Sequence, residues 1–391
     1  MTMEWEFADR VGRVEESATL AVSNRAAARE AEGADVVDLS VGEPDFDTPT
    51  AVREAGKAAV DAGHTTYTPA SGIRALREAV AEDLGRRGLD HGPEEVIVTP
   101  GGKQALFETV QTLIEPGDEV VLIDPAWVSY EAMVSLAGGS VVRVDTTPYD
   151  FQLAPAMDDL RAVVTDATEL IVVNSPNNPT GAVYSERALA GVRDLAVEHD
   201  VAVVSDEIYD RVVYDAEQTS LGSLDGMGDR TVTINGFSKS YAMTGWRLGY
   251  ASGPAGVIEE MAVLQEHACS CAAEPSQVAA KAALDHPEIV EGIHDAFARR
   301  RGIILDRLEA IPGVDPGTPR GAFYVFADVS ALTDDTRAFV QELLAEVGVA
   351  AVPGPVFGDA GTGFLRFSYA TDEETIREAM DRFERATRER Q

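Results

Sequence analysis

Cysteine, lysine and long apolar runs are scarce in this sequence of 391 residues. The two cysteines are Cys269 and Cys271. They stand too close together to staple a fold of this size, and no His or Cys cluster beside them has zinc-ligand spacing. They read as two reduced structural thiols. No apolar run reaches the roughly 20 residues that cross a bilayer. The first residues are acidic and lack the basic-then-apolar layout of a secretion signal. The expectation is a cytoplasmic protein with no membrane partner. Positive charge is also short: 32 Lys and Arg stand against 67 Asp and Glu, a net charge of −35. Such a chain repels a phosphate backbone, which argues against nucleic acid as a partner. The acidic excess is dispersed rather than gathered in a tail. That suits solubility in concentrated salt, where screening removes self-repulsion, so the chain reads as halophilic. The only lysines are Lys57, Lys103, Lys239 and Lys281, and arginine supplies the other 28 basic residues. Each remaining lysine is therefore informative, and its position decides what it says.

What is present is an alternation. Short apolar runs at 95–99 (EVIVT), 119–123 (EVVLI), 170–174 (LIVVN), 201–205 (VAVVS) and 231–235 (TVTIN) are rich in Val and Ile. Strands buried on both faces read this way, which implies a parallel sheet between helices. Helical stretches separate them. Leu106, Val110 and Leu113 share one face after a Gly101–Gly102 turn, and Leu189, Val192 and Leu195 share another. This is an α/β pattern. After about residue 286 the texture changes to long arginine-rich helices, as at 296–308, with fewer strands (322–326 and 364–368). A charged amphipathic helix is expected at 372–390. The spacing predicts a large domain at 46–285, and a smaller α+β domain formed by 1–45 and 286–391.

Ligands of open α/β sheets bind beyond the carboxyl ends of the strands. Those ends carry Gly101, Gly102 and Lys103; Trp127; Asn178; Asp206 and Tyr209; and Ser238 and Lys239. Gly101 and Gly102 open a helix, whose free N–H groups and dipole make an anion site, though a plain turn has the same appearance. No P-loop spacing and no G-x-G-x-x-G turn is present, which weakens a nicotinamide reading. Asp206 follows an apolar strand and needs a cation or donors if buried, or else caps a helix. Lys239, if desolvated, is a nucleophilic amine, and otherwise is a surface lysine. Arg366 lies within an apolar strand, where its planar fork suits a carboxylate unless the strand face is exposed.

The segment 236–249 (GFSKSYAMTGWRLG) resembles the cofactor-lysine signature of the class I aminotransferases that use pyridoxal phosphate. Segments 39–49 (LSVGEPDFDTP), 174–181 (NSPNNPTG), 206–209 (DEIY) and 364–370 (FLRFSYA) resemble the same family, in the same order. The likeness runs from about residue 13 to 385 and is nearest to the prokaryotic (Ib) aspartate aminotransferase subgroup. The resemblance implies fold type I of the pyridoxal-phosphate enzymes, built as a homodimer with shared sites. It implies that Lys239 carries the cofactor as a Schiff base and moves the proton. It further implies that Asp206 pairs with the pyridine nitrogen, that Tyr209 and Asn178 bond the ring's phenolic oxygen, and that Trp127 stacks on the ring. Gly101, Gly102, Lys103, Ser238 and Arg247 would hold the phosphate, with Tyr67 reaching in from a partner subunit. Arg366 would clamp the substrate α-carboxylate with Asn178 and the backbone of Gly42. In the family a phosphate-binding hydroxyl usually lies three residues before the lysine; here that place is Gly236, a departure from the pattern that bears on the role the resemblance gives Ser238. In the Ib-like enzymes a lysine after the double glycine is linked to aspartate and glutamate recognition, so the resemblance implies an acidic substrate, with Lys103 serving either the phosphate or a distal carboxylate.

The implied function is ping-pong transfer of an amino group between aspartate or glutamate and a 2-oxo acid. The alternatives are an aminotransferase for aromatic amino acids, kynurenine or alanine, or another enzyme of the fold such as a lyase. A regulator that binds the cofactor without turnover carries a fused DNA-binding domain. The acidic chain leaves no room for one before Leu39.

Overall fold

The computed structural model describes residue 3 and residues 5–388. Its strands in chain order are β1 (Val37–Asp38), β2 (Val96–Thr99), β3 (Glu119–Asp124), β4 (Ser140–Asp145), β5 (Thr168–Asn174) and β6 (Ala202–Asp206). There follow β7 (Thr231–Gly236), β8 (Gly249–Ser252), β9 (Tyr324–Asp328), β10 (Val349–Ala350), β11 (Val352–Pro353) and β12 (Phe364–Ser368).

Seven strands form the main sheet in the order β2-β8-β7-β6-β5-β3-β4. β3, β4, β5, β6 and β7 pair in parallel, whereas β8 pairs antiparallel with both β7 and β2. The sheet is thus mostly parallel, with β8 reversed. All five apolar runs fall on its strands, and β2, β6 and β7 are almost wholly inaccessible. Ile97, Leu122, Val172, Val204 and Ile234 pack under the helices of one face. Val121, Ile171, Val173 and Val203 pack under those of the other. Burial on both faces is the reason these runs carry no polar alternation.

The helix Gly102–Leu113 begins at the double glycine, where Gly101 has φ +90°. The helix Glu186–His199 opens with Ser185 accepting the amide of Ala188. Beyond the sheet, the long helix Glu288–Glu309 and the helix Glu373–Arg388 pack together over β9 and β12. β9, β11 and β12 form an antiparallel sheet, and β1 pairs with β10, bringing residues 37–38 against this C-terminal part. The strand expected at 322–326 lies two residues later, because Ala322 takes φ +57° and turns the chain before β9. Residues 389 and 390 of the helix expected at 372–390 lie outside the described residues. No helix among the described residues is long and apolar enough to cross a membrane. Cys269 is exposed, Cys271 is half-buried, and both are free thiols.

Candidate active site

Because β2, β3, β5, β6 and β7 run in one direction, their carboxyl ends share one rim of the sheet. A cavity of about 540 Å³ opens there, walled on its far side by β9, β12 and the 40–43 segment. It is lined by Gly42, Gly102, Lys103, Trp127, Asn178, Asp206, Tyr209, Ser238, Lys239, Arg247 and Arg366. Gly101 stands directly behind Arg247, since a Cβ on it would lie 2.6 Å from Arg247 Nη2. Tyr67 stands furthest apart among the site residues named from sequence. It is 86% exposed and does not line the cavity of its own chain.

Asp206 is the last residue of β6 and is buried. Neither it nor Ser205 caps a helix, because a turn follows the strand and Asp206 Oδ1 accepts the Ile208 amide at 3.2 Å. Tyr130 donates its hydroxyl to Asp206 Oδ2 at 2.7 Å. Burial pushes the Asp206 carboxyl up to about 6, while the bonds from Tyr130 and Ile208 pull it back. Asn174 donates to the Asp206 carbonyl at 2.9 Å and accepts the Asn178 amide at 2.8 Å, tying the two loops together.

Lys239 donates to the carbonyl of Gly42 at 2.5 Å. Burial pushes its ammonium down from 10.5 to about 8, with Glu43 opposing and Arg366 and Arg247 assisting. A neutral amine is therefore within reach near physiological pH. Arg366 is 3% exposed, so the strand face that carries it is not open to water. Its Nη1 donates to Asn178 Oδ1 at 2.9 Å and its Nη2 to the Ser40 carbonyl at 2.6 Å, while Nε has no partner. The Ser40 carbonyl is thus a main-chain partner of Arg366, and the Gly42 carbonyl accepts from Lys239. The guanidinium lies over the Tyr324 ring at 4.5 Å, and the Tyr324 hydroxyl meets that of Tyr209 at 2.8 Å. Residue 42 is glycine because a Cβ there would collide with that Tyr324 hydroxyl.

The anion end of the cavity is built by close backbone approach. A Cβ on Gly249 of β8 would strike the amide nitrogen of Gly102. The first N–H groups of the helix Gly102–Leu113 have no intrahelical acceptor. Lys103, over the Trp127 ring at 4.8 Å, is held below its ordinary value by burial and by Arg247. Arg247 is anchored by the carbonyls of Thr244 at 2.9 Å and Pro100 at 3.4 Å. Gly236 also has a physical reason, since a Cβ there would come within 2.9 Å of the Gly249 Cα. A side chain is thus excluded at residue 236, and Ser238 lines the cavity nearby.

Sequence reading missed Tyr130, Tyr324, Asn174 and Ser40. Tyr130 could have been found, since it lies three residues past Trp127 on the first turn of a helix over the cleft. Ser40 acts through its carbonyl and leaves no side-chain signal. Ser17, Thr19, Leu20 and Ser23 also line the mouth of the cavity, from the helix Ala18–Ala31 and its N-cap. Among the described residues no group of three or more His, Cys, Asp or Glu could hold a metal ion.

Comparison with known proteins identifies the family. The family described as Aminotransferase class I and II matches residues 34–383. An aspartate/prephenate aminotransferase of Thermus thermophilus is 46% identical over 382 residues, 96% of this chain and 97% of that protein. An aspartate aminotransferase of Pyrococcus abyssi is 42% identical over 363 residues, 91% of this chain and 92% of its own. The solved structure of the Thermus thermophilus aspartate aminotransferase with maleate has a TM-score of 0.94 at 45% identity. It covers 98% of this chain and all of that one. The fold is the type I fold that the resemblance implied. In that fold a lysine, a buried carboxylate and a buried guanidinium converge on one rim, and the chain belongs to the class I and II aminotransferases.

Proposed function

We propose that this cavity holds pyridoxal phosphate and moves an amino group between an acidic L-amino acid, aspartate or glutamate, and a 2-oxo acid. One observation carries the reading. In a chain of net charge −35, four cationic side chains, Lys103, Lys239, Arg247 and Arg366, face one cavity where, among the described residues, Asp206 and Glu43 are the only carboxylates. Such a cavity takes polyanions, and a phosphate plus substrate carboxylates match it.

The residues present fit the cofactor. The Gly102 amide end, Lys103, Ser238 and Arg247 form a phosphate cradle that a Cβ on Gly249 would close. Asp206 presents a buried carboxylate that a protonated ring nitrogen would pair with. Trp127 offers a ring face, and Tyr209 and Asn178 offer polar contacts. When bound, the cofactor supplies an electron sink that acidifies the substrate α-proton. Lys239, with its ammonium depressed, holds the cofactor covalently and, once displaced, takes the α-proton on Nζ and returns it. Arg366 grips the α-carboxylate, its fork preset by Asn178 and Ser40. Lys103 faces the same space and either steadies the phosphate or meets the distal carboxylate. Tyr67, exposed and outside its own cavity, would serve a second copy of the chain in a homodimer. The cleft would then lie between a large unit at 46–285 and a small one formed by 1–45 and 286–391. The relatives' names support the acidic substrate.

The test is an absorption spectrum of the purified protein with pyridoxal phosphate in high salt. Loss of the visible cofactor band on adding glutamate, and its return with oxaloacetate, is the expected result. A band unmoved by glutamate and aspartate but shifted by alanine or an aromatic amino acid would discard the substrate. No band at all would discard the cofactor.

A further inference from the structure

Directly behind Asp206, on the side of the strand away from the cleft, lies a second buried ionic site that the reaction above does not use. Glu207 is 1% exposed and does not line the cavity. Its Oε1 accepts two hydroxyls, from Ser205 at 2.9 Å and Ser220 at 2.6 Å. Its Oε2 accepts no hydrogen bond and lies 4.0 Å from Arg87 Nη1. Arg87 also bonds Asp210, approaches Asp83 at 3.5 Å and donates to the Tyr250 hydroxyl at 3.1 Å. Arg211 pairs with Asp83 at 2.5 Å and stacks near the Tyr241 ring. Asp210 Oδ1, like Glu207 Oε2, is buried and accepts nothing.

The charges do not balance. Three buried carboxylates, Asp83, Glu207 and Asp210, face two largely buried guanidiniums, Arg87 and Arg211. Arg86 reaches Asp83 only from the exposed side, at 3.4 Å. A buried surplus of one negative charge is costly, and one proton removes it. Glu207 Oε2 and Asp210 Oδ1 are the carboxylate oxygens left without a donor, and the charge of Asp210 favours the proton on Glu207. We propose that Glu207 is a positioning residue that works as a neutral acid, its Oε1 pinned by Ser205 and Ser220 so that the peptide bearing Asp206 is held square to the cleft. The inference rests on Asp206 being the cofactor's partner, as argued above. Burial is consistent with it, pushing the Glu207 carboxyl up to about 7 against the pull of Arg87.

The sign of the linkage follows. The unfolded glutamate loses its proton near 4.5, whereas the folded one keeps it to about 7. Stability therefore falls as pH rises across that window and is flat above it. In Glu207→Gln the amide oxygen still accepts both hydroxyls, the amide N–H₂ supplies donors for good, and this slope disappears.

The experiment compares parent, Glu207→Gln and Glu207→Ala holoenzymes in high salt. It follows Tm from pH 5 to pH 8.5 and the dissociation constant for pyridoxal phosphate. Glu207→Gln should melt about 2–4 °C above the parent at pH 8, with the gap closing towards pH 5. Its cofactor affinity should stay within about threefold, while Glu207→Ala loses about tenfold or more by freeing Ser205 and Ser220. Equal losses in the two variants would show that Glu207 works as an anion on Arg87 and would overturn the proposal. A Gln-to-parent gap that ignores pH would do the same. Asp206→Asn separates the two readings: cofactor binding untouched by it removes the role given to Asp206, while the Tm result still judges the proton on Glu207.

Discussion

Tyr130 and Asp206 meet hydroxyl to carboxylate at 2.7 Å, both buried, one from a helix that roofs the cleft and the other from the end of β6. The contact stabilises the ionised form of a carboxyl that burial raises to about 6 even against that bond. Tyr130→Phe removes the one side-chain hydrogen bond Asp206 accepts. A bond to a charged group is worth about 1.5–3 kcal/mol, so the acid limb of the kcat profile should move to higher pH by about one unit or more. An unmoved acid limb would show that Tyr130 does not tune Asp206.

Lys239 becomes a nucleophile once its ammonium loses a proton, which burial brings to about 8 rather than 10.5. The rate at which apoprotein captures pyridoxal phosphate covalently should therefore climb between pH 7 and 8.5 and level off above. Stopped-flow absorbance measures this directly. Lys239→Ala should leave no transamination, and continued turnover in that variant would remove the assignment.

Arg366 and Lys103 should separate in kinetics. Arg366→Ala leaves the α-carboxylate of any substrate without its fork, and KM should rise at least about a hundredfold for all of them. Lys103→Ala should raise KM for aspartate and glutamate well beyond that for alanine if the lysine meets the distal carboxylate. A uniform loss, recovered by excess cofactor, would place it on the phosphate.

The net charge of −35 sets a salt response. Many surface ion pairs are exposed on both sides, such as Arg74 with Glu78 and Lys57 with Glu54, and are worth little singly. Self-repulsion should outweigh them, so Tm should climb by several degrees between 0.1 M and 3 M KCl. A flat curve in differential scanning calorimetry would remove the salt-adaptation reading.

The rim of the site was legible because parallel strands buried on both faces write themselves as continuous Val and Ile, so the change to polar residues marks where each strand ends. Asp206, Lys239 and Asn178 stand out against such a background. β8 was not legible: four residues, glycine first and serine last, carry no apolar period. Its reversal matters, since it brings Gly249 against Gly102 and so shapes the anion cradle. β4 was missed for another reason. It is an edge strand with an arginine at its centre, where Arg143 pairs with Asp124 at 2.6 Å and Glu131 at 2.7 Å. Ser40 could not be read at all, because a carbonyl belongs to every residue alike.

The cationic cavity inside an acidic shell makes the protein a charge sieve as well as a catalyst. A dicarboxylate approaching from water first meets a field that turns it away, and only within a Debye length of the mouth does it feel Lys103 and Arg366. In dilute salt the outer field therefore slows encounter, the reverse of the usual steering of a substrate by its enzyme. Concentrated salt shortens the reach of the shell to a few ångströms, while the buried floor, shielded from counter-ions, keeps its pull.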